Sequence, residues 1–226
     1  MGASRKGRRG KHHSAPKGKP SFRFEQEALS LGALRIAGID EAGRGPLAGP
    51  VVAAAVVLPL DDPIEGLNDS KLLTPRQRER VFLAVKAHAR AVQVAIVPPE
   101  TIDRINIYQA TRAAMAEAVQ AVSPSPDYLL IDGTIRLDLN IPQRAIVKGD
   151  RLSVSVAAAG VVAKVTRDRL MMELHEQYPE YGFNAHKGYA TKAHKEAIRR
   201  YGPCPAHRKC FRGVKEHLLP PLFNGE

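Results

Sequence analysis

Residues 34–58 read LRIAGIDEAGRGPLAGPVVAAAVVL. An apolar run of strand length enters two adjacent carboxylates, Asp40 and Glu41, and crosses a loop of Gly43, Arg44, Gly45 and Pro46. It then leaves through a second apolar run. Two such runs joined by a glycine-rich loop predict neighbouring strands. Working outward, the same texture recurs. Strands are predicted over 34–40, 51–58, 91–97, 128–132 and 144–148, each rich in Val, Ile or Leu and bounded by Gly, Pro or Asp. Longer amphipathic stretches lie between or after them. TPRQRERVFLAVKAHAR opens with Thr74 as a cap and Pro75 at the first helical position. TIDRINIYQATRAAMAEAVQAV and VAAAGVVAKVTRDRLMMELHEQY carry the alanine content and spacing of two further helices, the second with a small-residue face for tight packing. TKAHKEAIRRY predicts a short fourth. The expected class is α/β: a mixed sheet flanked by helices, with a basic, helical C-terminal extension from about residue 182.

The chain has 226 residues, 44% of them hydrophobic, enough for one core. No stretch reaches the roughly 18 apolar residues of a membrane helix, and the N-terminus lacks a secretory apolar core. A cytoplasmic protein without membrane association is expected. Net charge is +11, and residues 1–21 hold seven Lys/Arg and no acid, leaving +4 for the rest. That segment, rich in Gly, Pro, Ser and Lys, is expected to be a disordered basic tail, with residues 22–226 forming the folded domain. It is either a source of salt-sensitive attraction to phosphates or a solvated leader without a specific role. The two cysteines, Cys204 and Cys210, flank His207 in CPAHRKC, but that spacing matches no standard zinc pattern and leaves a fourth ligand missing.

Three apolar runs lead into aspartate: Asp40, Asp132 before Gly133, and Asp150 just after Gly149. Strand ends border the crevice where open α/β sheets bind ligands. Any one Asp there can simply cap a turn, so the joint pattern carries the inference. Carboxylates that converge repel one another unless a cation sits among them. Hard ions such as Mg²⁺ or Mn²⁺ take oxygen ligands and suit phosphate chemistry, often as a pair. Adjacent strand residues point to opposite faces, so Asp40 and Glu41 are expected to share a site only if the chain bends there, as Gly43 and Gly45 permit. A dinucleotide or P-loop motif is excluded, because a strand rather than a helix follows the glycines and no Gly-Lys-Ser/Thr occurs. A serine nucleophile elbow is also missing.

GIDEAGRGPLAGPVVAAAV, LNDSKLL, YLLIDG, AIVKGD, AKVTRD and YGFNAHKGYAT follow one another in the order and spacing of bacterial ribonuclease HII, so that residues 34–215 resemble that family. The resemblance implies a ribonuclease H-like fold. It also implies a divalent-metal-dependent endoribonuclease that cleaves the RNA strand of RNA-DNA hybrids and nicks duplex DNA 5′ of an embedded ribonucleotide, leaving 3′-hydroxyl and 5′-phosphate ends. Asp40, Glu41, Asp132 and Asp150 fall on the family's catalytic, metal-holding carboxylates, with Mn²⁺ or Mg²⁺ as the ions, two during catalysis. Gly43, Arg44 and Gly45 match a loop that senses the ribose 2′-hydroxyl, the group that marks RNA. Tyr189 matches the tyrosine lying against the sugar at the RNA-to-DNA junction. Lys71, Lys148 and Lys187 lie in matched motifs as phosphate contacts. A monomer is expected.

Two departures from the family pattern bear on substrate positioning rather than on the metal ligands. Arg151 replaces a serine, and Val156 to Gly160 read VAAAG where ISAAS is usual, with Gly160 weakening its helix by up to about 1 kcal/mol relative to alanine. Asp168, within a helix, is taken as structural. Between Gly182 and His217 nine Lys/Arg face two Glu, an uneven charge suited to tracking a duplex. Two other readings compete: a noncatalytic duplex-binding protein whose acids only cap turns, and a nuclease of the same fold with another substrate.

Overall fold

The computed structural model describes residues 19–60 and 64–218. Residues 1–18 of the basic segment lie outside the described residues. Its last residue, Ser21, joins the domain through a bridge to Ser153. The elements run α1 (Arg23–Ser30), β1 (Ile36–Ala42), β2 (Val51–Val57), α2 (Pro75–His88), β3 (Ala91–Val97), α3 (Pro99–Gln120), β4 (Tyr128–Asp132), β5 (Gln143–Ile146), α4 (Val154–Gln177), α5 (Phe183–His186) and α6 (Lys192–Tyr201). The sheet order is β3-β2-β1-β4-β5. β1 pairs antiparallel with β2 and parallel with β4, so the sheet is mixed, as expected.

Strand parity sets the layers. Ala37, Ile39, Ala53 and Ala55 face α3 through Ala110, Ala114 and Met115, while Val52, Ala54 and Val56 face α2 and α4. The alanine-rich face of α4 packs against β1 so closely that a Cβ on Gly38 would lie 2.1 Å from the Ser155 backbone, so only glycine fits there. Thr74 and Gln77 close a capping box on α2, and Pro75 sits in its first turn.

The structure differs from the sequence reading in several places. β1 runs on to Ala42, and the predicted strand 144–148 is instead Gln143–Ile146. α3 is interrupted at Asn106 (φ 64°), whose carboxamide oxygen accepts from the Tyr108 and Gln109 amides and recaps the helix. α1 has no counterpart in the reading. It is one short helix, held by the buried Glu25, which accepts from the Ser153 hydroxyl and the Ser155 amide at the start of α4. The C-terminal part is only partly helical: beyond α6 the described residues are mostly turns with one short 3-10 segment, Lys215–His217.

Candidate active site

The two acids of the opening stretch stand where β1 outruns its parallel neighbour. Pairing with β4 ends at Ile39 and Ile131, whereas pairing with β2 continues through Ala42. Asp40 shares its parity with Gly38 and faces α4, while Glu41 shares that of Ile39, on the α3 side. The expectation that the chain must bend between them is corrected. The strand keeps its register with β2 through both residues, and a carboxylate oxygen of each still lies within 4.8 Å of the other. The left-handed turn comes afterwards, at Gly43 (φ 96°), where a Cβ would also strike Arg167 Nε at 2.1 Å.

One carboxylate oxygen from each of Asp40, Glu41 and Asp132 lies within 4.8 Å of the others. Burial raises the Asp40 carboxyl well above the usual range, and the charges of Glu41 and Asp132 push it further. Burial also raises Glu41, outweighing Arg44, whose guanidinium lies 3.3 Å from its carboxylate. Asp132 is raised by burial and by Asp150. These groups are therefore held against their own charge, and each offers a carboxylate oxygen to the shared space. That is the donor set of a hard divalent cation.

Asp150 stands beside the trio rather than in it. It lies buried in the 3-10 turn Gly149–Arg151, its amide donating to Asp132 at 3.4 Å and its carboxylate accepting from Lys71 Nζ at 2.9 Å. Burial pulls the Lys71 ammonium down, but this bond together with the charges of Asp150, Asp40 and Asp69 outweighs it and leaves the group raised. Lys148 is exposed at the left-handed entry to that turn. Lys187 turns to the Asn184 carbonyl and the Met172 sulfur. Tyr189, 47% exposed, borders the Gly43–Gly45 loop: a Cβ on Gly45 would lie 3.9 Å from its ring.

Both departures have structural counterparts. Arg151 Nε bonds to Asp69, fully buried in the loop that carries Lys71. Gly160 lies directly beneath Asp40, where a Cβ would be 2.3 Å from Oδ2, so the missing side chain is what lets the carboxylate lean on α4. Asp168 pairs with Lys164 one turn away and with Arg78 of α2.

Beneath the loops lies a layer that the sequence reading missed. Arg208, counted among the basic surface residues, is fully buried, as is Arg167. Arg167 donates to the carbonyls of Pro50, Ala48 and Lys187, and Arg208 to those of Gly49, Arg44 and Gly43. Burial lowers them to about 10 and about 9. Beside them, the Cys204 amide donates to His207 Nδ1 at 3.0 Å. His207 Nε2 must then carry the proton donated to His194 Nε2 at 3.1 Å, and His194 Nδ1 donates to the Tyr189 carbonyl at 2.9 Å. Burial holds both rings near pKa 4, hence neutral. Nothing in a run of basic residues distinguishes an arginine that binds six carbonyls with a partner from one that faces solvent.

The family model described as Ribonuclease HII matches residues 37–214. A curated Ribonuclease HII of Geobacter metallireducens is 55% identical over 197 residues, 87% of this chain and 92% of that protein. One from Geobacter sp. strain M21 is 58% identical over 195 residues, 86% and 85% of the respective chains. The crystal structure of the ribonuclease H2 from Pyrococcus horikoshii OT3 superposes with a TM-score of 0.70 at 28% identity, covering 81% of this chain and 96% of that one. Among the described residues no helix is long and apolar enough to cross a membrane.

Proposed function

The chain belongs to the ribonuclease HII family, whose members are divalent-metal-dependent hydrolytic nucleases, and from that premise we propose that it nicks duplex DNA 5′ of an embedded ribonucleotide and cleaves the RNA strand of RNA-DNA hybrids. The observation that carries this reading is the convergence of Asp40, Glu41 and Asp132 within 4.8 Å of one another, next to the Gly43–Gly45 loop that Tyr189 borders. In the reaction, water adds to phosphorus and the P–O3′ bond breaks, leaving a 3′-hydroxyl upstream and a 5′-phosphate on the ribonucleotide.

Asp40, Glu41 and Asp132 would hold Mn²⁺ or Mg²⁺, and Asp150, now paired with Lys71, would complete a second position. When bound, the ions supply water activation and charge neutralisation at the leaving oxygen. The protein's own groups do the rest. The Gly43–Gly45 backbone meets the ribose, Arg44 is steadied by Glu41, and Tyr189 lies against the sugar at the junction. Lys71, Lys148 and Lys187 contact phosphates and fix register without reading sequence. The enzyme acts as a monomer in the cytoplasm, a compartment that suits its two free thiols.

A duplex carrying one ribonucleotide, incubated with Mg²⁺ or Mn²⁺, tests this. A single nick on its 5′ side is expected, and Asp132→Asn should bind the duplex without cutting. Binding without cutting by the unaltered protein would favour the noncatalytic alternative. Equal cutting of an all-DNA duplex would favour a same-fold nuclease with another substrate.

A further inference from the structure

Arg208 is a fully buried cation that forms no salt bridge with any described carboxylate. Its guanidinium is spent on three backbone carbonyls: Nε on Gly49 at 2.9 Å, Nη1 on Arg44 at 2.9 Å and Nη2 on Gly43 at 2.5 Å. Its own amide donates to the Leu47 carbonyl at 2.8 Å, and its guanidinium stacks 5.1 Å from the Phe211 ring centre. A single residue 164 positions downstream therefore grips the loop from beneath at four places.

Among the described residues the one cis bond is Ser123-Pro124, so the peptide units joining Gly43 to Arg44 and Arg44 to Gly45 are trans. In a trans peptide the C=O and N–H point in opposite directions. Two successive carbonyls drawn inward by Arg208 turn the next two amides, those of Arg44 and Gly45, outward. Neither amide donates a hydrogen bond within the described residues. Consecutive outward amides make a concavity suited to an anion or a sugar oxygen. The grip extends to the tyrosine: Arg167 spans the Ala48 and Lys187 carbonyls, and the Leu47 amide donates to Gly188.

We infer that Arg208 is a positioning residue for ribose recognition, holding the Gly43–Gly45 peptides with their amides facing the substrate. This rests on the reading of that loop as the ribose sensor. Lysine keeps the charge but loses the planar fork, so it cannot hold two adjacent carbonyls in the same way.

The test measures duplex affinity in an Asp132→Asn background with Mg²⁺, comparing a one-ribonucleotide duplex with its all-DNA counterpart. The parent is expected to prefer the ribonucleotide duplex. Adding Arg208→Lys should reduce that preference about tenfold, the worth of one or two hydrogen bonds, while leaving all-DNA affinity within twofold. A merely structural role would instead lower both affinities together. An unchanged preference in Arg208→Lys overturns the inference and leaves the loop reading standing. Equal affinities in the parent remove the loop reading and the inference with it. Should Arg208→Lys not fold, amide exchange on the otherwise native protein decides. The Arg44 and Gly45 amides should exchange freely alone and slow at least tenfold with the ribonucleotide duplex only. Protection in the free protein would overturn the inference.

Discussion

Two polar regions meet at the Gly43–Gly45 loop and are built on opposite plans. Above it, Asp40, Glu41 and Asp132 are like charges pressed together, each with a raised pKa. Below it, Arg167, Arg208, His194 and His207 are also buried together, yet their donors and acceptors are matched to carbonyls or to each other. Burial penalises both; the lower layer is matched internally, whereas in the upper one the Arg44 pairing and backbone amides still leave all three carboxyls raised. The upper region is left to be completed by a cation and substrate, and the lower one fixes the geometry in which that happens.

The largest expected effect breaks the upper region. Asp132→Asn should lower nicking by at least about 10³-fold, the scale on which loss of transition-state charge stabilisation acts, with duplex affinity retained. Gel assays of nicking and binding on one preparation check this, and a wild-type rate would remove Asp132 from the centre. Next, Tyr189→Ala should cost about ten- to a hundredfold on a single embedded ribonucleotide, as loss of an aromatic platform does. The loss on an all-RNA·DNA hybrid should be smaller, and equal losses on both would refute the junction role. Gly160→Ala sharpens the contrast. In an ordinary helix it would stabilise by about 1 kcal/mol, but here the new Cβ must displace Asp40. Calorimetric Mn²⁺ affinity is therefore expected to fall about tenfold, as when a ligand's support is disturbed.

The smallest effect concerns acid. His194 and His207 fall from 6.5 to about 4 on folding, so below pH 6.5 the unfolded chain takes up protons that the folded one does not. Their contribution is complete above pH 6.5 and is lost as pH drops toward 4. The metal-free carboxylates act in the opposite sense, because their raised values let the folded state bind protons first. Urea midpoints between pH 7 and 4.5 should decline, and His194→Asn with His207→Asn should flatten that slope. An unchanged slope would contradict the neutral relay.

Much of this was legible in the sequence because it depends on period and order. The strand runs and the Thr74 cap reappear where pattern places them, and of the three aspartates Asp132 ends its strand, while Asp40 lies inside β1 and Asp150 in a 3-10 turn beyond β5. What was not legible depends on depth. Arg208 looks like any basic residue near Lys209 and Arg212, and its burial is decided by carbonyls 159 to 165 residues away. Gly160 reads as a weakened helix and is instead the space for Asp40. From alternation alone Glu41 needs a bend to join Asp40, whereas the two share a site on a strand whose pairing with β4 ends at Ile39.

The measurement closest to the central contrast is thermal unfolding of the full chain and of Asp40→Asn, each in EDTA and in saturating Mn²⁺. Relief of repulsion worth about 1 kcal/mol shifts a domain of this size by about 2–4 °C. Asp40→Asn should therefore melt higher than the wild type in EDTA and lose most of the Mn²⁺-induced rise. If Asp40→Asn melts lower in EDTA and keeps the full Mn²⁺ rise, the carboxylates are neither a self-repelling cluster nor the metal's home.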